Sequence, residues 1–293
     1  MRREENKLPL PKFEYLKPED TQEVTELLAE YGDEAKIFAG GTDLLLLMRE
    51  GVLKPRYLID IKGIEELRRL FYDQQDGLHV GATTTLNQMI ESDVVKGRFE
   101  VLWNASHSVA DPLLRNRATL VGNICNASPA ADTAPALLVL DAEVEVLSKD
   151  GERTVPIEEF FTGVKKTSVK PGEFVKAVRV PNPPKGARGG YLKWGRTRGE
   201  DLAVVGVGAL IANSSAKLIR VALSSVAPTP IRIREVEKIP EEGGSSGEQI
   251  QKVASIVQEK ISPITDVRSG KEYRRHMAGL VTRRLLTRLF EGS

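Results

Sequence analysis

The chain has 293 residues, 41% hydrophobic and 28% charged, with a formal net charge of +1: an ordinary folded composition, long enough for two cores. So balanced a charge speaks against a nucleic-acid partner or an anionic membrane surface. A single cysteine, Cys125, excludes a disulfide framework and any thiolate zinc or iron–sulfur site built from this chain alone; His79, His107 and His276 stand far apart, so any redox metal belongs to another subunit.

In chain order, residues 17–31 read as a surface helix, capped by Asp20 or Thr21, striped by Val24, Leu27 and Leu28, and ended by Gly32. Residues 35–39 form a short strand that runs straight into Ala39, Gly40, Gly41, Thr42, Asp43 and Leu44, and a buried helix opens at 44–48. That order leaves Gly40, Gly41 and Thr42 with backbone amides free to hold a phosphate. Residues 57–61 and 78–82 read as strands, the second leading into Thr83, Thr84 and Thr85, which suit helix capping or a binding-site wall. A helix is expected over 99–110, a loop over 111–131, and strands over 143–148 and 174–180.

The long loop contains the second informative stretch, Arg115, Asn116, Arg117, Ala118, Thr119, Leu120, Val121, Gly122 and Asn123. Basic groups, a hydroxyl, a glycine and an amide at this spacing can neutralise and hydrogen-bond phosphates and a ribose. Asp132, a little further on, can accept from a sugar or adenine donor. Two main-chain cradles of this kind suit a dinucleotide whose pyrophosphate is gripped from both sides.

Pro181, Pro183 and Pro184 break the chain and mark a boundary, giving expected domains of 1–183 and 184–293. Beyond it, residues 191–196, 202–212 and 218–226 suggest a three-stranded antiparallel sheet. A link over 241–247 precedes two helices, 248–261 and 272–290, covering one face of that sheet. Gly206 and Gly208 lack the third glycine and following helix of a Rossmann fingerprint. The longest near-apolar run, 202–212, falls well short of the ~20 residues of a membrane helix. With no apolar stretch behind the charged start, cytoplasmic residence is expected.

Residues 39–44, 115–123, 127–140 and 201–204 together resemble the FAD-binding medium subunit of molybdenum hydroxylases, the family of carbon monoxide dehydrogenase, xanthine dehydrogenase and aldehyde oxidoreductases. The likeness runs from near Phe13 to the segment 266–274. It implies an α+β protein: a vanillyl-alcohol-oxidase-type (PCMH-like) FAD-binding domain of two α/β subdomains, then a small C-terminal domain. It implies non-covalent FAD held by Ala39, Gly40, Gly41, Thr42, Asp43 and Leu44 on one side and by Thr119, Gly122 and Asn123 on the other. Ala110 would lie nearby, Asp132 would be a polar partner, Lys193 would reach towards the flavin, and Leu202 would cover the ring from the loop 196–202. A lysine there would stabilise negative charge on the reduced flavin.

Two features set this chain apart. Val121 stands where many members carry a glycine, its side chain expected to turn away, and the cysteine-ligated insertion of benzoyl-CoA-type reductases is absent. The implied function is electron transfer from two-iron, two-sulfur clusters of a small partner through FAD to NAD, oxygen or a quinone, with substrate oxidised at a molybdenum-pterin centre in a large partner, in a dimer of heterotrimers. Glu200 would then influence nicotinamide access. A self-contained flavin oxidoreductase on this fold, or a scaffold that lost FAD, are the alternatives; no acid–base set supports the first and the intact glycines oppose the second. The basic side of the last helix, with Arg274, Arg275, His276, Arg283, Arg284 and Arg288, reads as a solvated or subunit-facing surface.

Overall fold

A computed structural model describes residues 10–197, 201–212 and 218–292. Three sheets carry the architecture. In the first, Glu14–Leu16 and Ala35–Phe38 flank Tyr57–Asp60, all parallel. The buried central strand is apolar until its last residue, as expected where both neighbours and both faces are covered. Helix Thr21–Tyr31 crosses over from the first strand to the Ala35–Phe38 strand; Asp20 caps it, Val24 and Leu28 are its buried stripe, and Gly32 ends it at a φ of +50°.

The second sheet has five antiparallel strands in the order Leu70–Asp73, Gly77–Gly81, Phe174–Val180, Glu143–Ser148 and Gly151–Pro156. Its centre holds the strands expected from sequence. The outer two are partly exposed: Gly151–Pro156 is mostly polar, and Leu70–Asp73 is only four residues long, so neither shows a clear apolar alternation. The segment expected to be one loop over 111–131 is broken by short helices, Pro112–Arg115 and Leu120–Cys125, with Thr133–Val139 following. Side-chain caps explain two of these starts: Asp111 accepts from Leu114 N–H and Thr119 from Gly122 N–H.

The third sheet corrects the expectation of three strands. It has four, Ala187–Trp194, Val205–Ala212, Leu218–Ser224 and Ile231–Arg232, all antiparallel. The fourth is two residues long and follows Pro228 and Pro230, so no periodicity could announce it. Helix Lys271–Glu291 lies on one face of this sheet with Ser246–Lys260 packed beside it, and helices Glu100–His107 and Thr133–Val139 cover the other face.

Every residue of Val205–Ala212 is therefore buried, and the alternation of a half-wet strand is missing. Gly208 sits where the strand meets the Thr133–Val139 helix: a Cβ there would lie 3.0 Å from the carbonyl carbon of Pro135 and 3.2 Å from Ala136 N. Backbone against backbone cannot give way as a side-chain tip can. Overpacking of this kind costs about 1–3 kcal/mol. Gly208→Val is expected to lower the stability of the whole chain by that amount, read as a reduced midpoint in urea unfolding with unchanged slope.

Candidate functional site

The two glycine stretches meet. Gly40 lies so close to the second stretch that a Cβ on it would sit 2.1 Å from Arg117 O and 3.2 Å from the Ala118 Cα. Gly41 has a φ of +76°, and a Cβ there would fall 2.2 Å from the ring of Phe38. Both positions thus require glycine, one for close approach and one for its left-handed turn as well. The second stretch is anchored independently: Thr85 and Gln88 form a capping box on helix Leu86–Glu91, and Leu86 N–H donates to Ala118 O at 2.9 Å.

Between the stretches opens a cleft of about 570 Å³, within the usual range for a small-molecule site. All six residues from Ala39 to Leu44 line it, as do Thr119, Gly122 and Asn123. Among the described residues, the backbone N–H groups of Gly40, Gly41, Thr42 and Asp43 have no acceptor within the protein. Opposite them, Thr133 Oγ1 donates to Asn123 Oδ1 at 2.6 Å, which leaves the Asn123 amide as a donor. A row of unpaired main-chain donors in a cradle that any Cβ would fill suits a diphosphate, and the residues fit a dinucleotide.

Asp132 and Lys193 come together away from these donors. Lys193 Nζ donates to Asp132 Oδ2 at 2.8 Å and to Ser108 O at 3.1 Å, while the buried Tyr191 hydroxyl donates to Asp132 Oδ1 at 2.6 Å. Burial pushes the Asp132 carboxyl up, against the pull of Lys193 and the Tyr191 hydroxyl. Both oxygens of Asp132 are therefore engaged within the protein. The pair is linked to the cleft through residues 108–110: Val109 lines the cleft, and Ala110 follows it at a φ of +41°. Arg115, read from sequence as a phosphate-neutralising group, turns inward instead. Its Nη1 donates to Val109 O and Ala110 O, both at 2.8 Å, and to His107 O at 3.1 Å. A buried guanidinium holding three carbonyls shapes the turn rather than facing an anion.

Val121 is buried within helix Leu120–Cys125 and borders the cleft. Cys125 is exposed on the cleft wall. Thr83 and Thr84 donate to carbonyls of 67–69 and Thr85 caps a helix, so the threonine run is structural. Leu202 is 57% exposed and does not border the cleft. Glu200 lies outside the described residues. Sequence reading missed Asn126 and the rim formed by Thr167 and the segment Val169 to Val175, all lining the cleft; a Pro171-Gly172 turn carries no ligand signal by itself.

With two cradles on one cleft ahead of a four-stranded α+β unit, fold and site define a dinucleotide-binding protein outside the Rossmann class. Residues 11–183 match the family described as "FAD binding domain in molybdopterin dehydrogenase", and 191–289 match "CO dehydrogenase flavoprotein C-terminal domain". The xanthine dehydrogenase FAD-binding subunit of Escherichia coli O157:H7 is 32% identical over 264 residues, covering 89% of this chain and 90% of that one. The carbon monoxide dehydrogenase medium chain of Hydrogenophaga pseudoflava is 33% identical over 286 residues, covering 94% and 96%. A solved carbon monoxide dehydrogenase from that organism superposes with a TM-score of 0.92 at 32% identity, over 97% of this chain and 99% of its counterpart. The chain belongs to the FAD-binding medium subunits of the molybdenum hydroxylase family, with a PCMH-like FAD-binding fold followed by the family's C-terminal domain.

Asp201 closes the described part of the loop 196–202. Its oxygens accept from Arg196 N, Nε and Nη2, each at 3.0 Å, and from Leu202 N at 2.9 Å. The Arg196 guanidinium holds the Asp201 carboxyl down at about 2. A depressed carboxyl contributes stability that is complete above its unfolded value of about 4 and is lost as pH falls through the folded one. The carbon-13 NMR signal of the Asp201 carboxyl should therefore titrate near pH 2; a midpoint near 4 would show the contact absent.

Proposed function

We propose that this chain is the FAD-carrying electron-transfer subunit of a multi-subunit molybdenum hydroxylase, with domains dividing at 183/184. What carries the reading is the crossing at Gly40 and Arg117, which leaves unpaired donors from both stretches on one cleft. The turn at Gly40 to Asp43 and the Thr119 to Asn123 segment would bind the diphosphate from opposite sides. Asp132, Lys193, Ala110 and Leu202 are the remaining proposed contacts, towards the flavin end. Bound FAD accepts and releases electrons one or two at a time; the protein orients it, excludes water and sets charge around it.

Lys193 is well suited to such a role. Its ammonium is fixed by a carboxylate and a carbonyl, so its charge is held in place rather than waving in solvent. The relatives are named as medium chains and subunits of dehydrogenases, which supports a complex with a large molybdenum-pterin subunit and a small two-iron, two-sulfur subunit, here proposed as a dimer of heterotrimers. Lone Cys125, and among the described residues no group of three metal-ligating side chains, suit metal centres carried by other chains. NAD, oxygen or a quinone would be the final acceptor. No described helix is long and apolar enough to cross a membrane, and the proposed location is the cytoplasm.

The test is co-purification with its neighbours in the complex. The wild type should show a flavin spectrum and release FAD on denaturation. Gly41→Asp, which adds a side chain at positive φ and a negative charge to the cradle, should retain less than about a tenth of that FAD. Colourless wild-type protein, or full FAD in the variant, would refute the assignment.

A further inference from the structure

Asp43 is out of place in a cradle for an anion: a carboxylate lining the cleft beside the unpaired amides of Gly40 to Thr42. Left alone it would repel a diphosphate. The structure supplies a counterweight from a distant part of the chain. Asn126 Nδ2 donates to Asp43 Oδ1 at 2.7 Å, and Lys165 Nζ donates to Asn126 Oδ1 at 2.7 Å. Only one orientation of the carboxamide satisfies both neighbours, since a carboxylate only accepts and an ammonium only donates.

We propose that Lys165, acting through Asn126, is a positioning residue that offsets the charge of Asp43 and so lets the first cradle accept the diphosphate of FAD. The inference rests on the flavoprotein reading above and deepens it. Three separate segments are tied together by the relay: the first glycine turn, the end of helix Leu120–Cys125, and the turn between strands Phe161–Gly163 and Lys166–Thr167. The backbone enforces the same meeting. Lys165 N donates to Ala127 O at 3.0 Å, and both residues are non-glycine in the left-handed region, at φ +57° and +45°. Such conformations persist only where surrounding contacts over-determine them. Burial pushes the Asp43 carboxyl up, opposed by the Lys165 charge and the Asn126 bond. Lys165 is exposed, so its effect is moderate and weakens with salt.

A double-mutant cycle on the full chain, stripped of flavin and titrated with FAD by fluorescence quenching, tests this. In low salt, Lys165→Met should raise the Kd for FAD about fivefold, the scale of one moderately screened charge. In the Asp43→Asn background the same change should alter Kd by less than about twofold, because the charge it offsets is gone. Asn126→Leu, near in volume, should match Lys165→Met. Urea unfolding of each flavin-free variant separates lost folding from lost affinity. A wild-type Kd in Lys165→Met, or equal effects in both backgrounds, overturns the proposal while leaving the flavoprotein reading intact. Failure of the wild-type chain to bind FAD at all overturns both.

Discussion

The contact on which this structure turns is one of main chain against main chain, where Gly40 meets the carbonyl of Arg117. No side chain mediates it, and none could be inserted. Because the two stretches touch there, the free N–H groups of Gly40 to Asp43 and the Asn123 side-chain amide face a single cleft instead of separate patches of solvent. Arg115 fixes the turn after helix Glu100–His107 by donating to the carbonyls of His107, Val109 and Ala110. The binding surface is therefore a consequence of how tightly two backbones approach, and its chemistry is mostly that of amides.

Charge within the molecule is arranged around that neutral surface. Three positive groups near the cleft are committed, Arg115 to carbonyls, Lys193 to Asp132 and Ser108, and Lys165 to Asn126, while Lys36 and Lys170 line the cleft itself. The donors that the first cradle offers are main-chain N–H groups, so recognition there depends on main-chain geometry more than on a strong field. This agrees with the near-zero net charge of the whole chain. A buried pair such as Asp132 and Lys193 adds little net stability, because desolvation opposes its attraction. It serves better as a fixed link between the helix end at Ser108 and the strand Ala187–Trp194, which belong to the two halves of the chain.

The burial of the strand Val205–Ala212 on both faces makes the C-terminal sheet inseparable from the helices that precede it. Helices Glu100–His107 and Thr133–Val139 pack against this sheet and, at their ends, lead into the residues that shape the cleft. Gly208 packs on the same helix whose first residue, Thr133, holds Asn123. The site and the junction between the two halves share one set of helices.

Local pattern in the sequence was enough for the helix Thr21–Tyr31, the turn at Gly40 and Gly41 and the strands of the second sheet's centre, because each is governed by near neighbours: caps, glycine freedom and apolar periodicity. Resemblance to a family then supplied the cofactor. Only the tertiary structure decided which way Arg115 points, that Asp132 is spent on Lys193 and Tyr191, that a fourth strand closes the last sheet, and that Asn126 and Lys165 reach Asp43. Those outcomes depend on partners dozens of residues away, and a side chain of fixed chemistry can bind a phosphate or a carbonyl equally well until the fold chooses its neighbour.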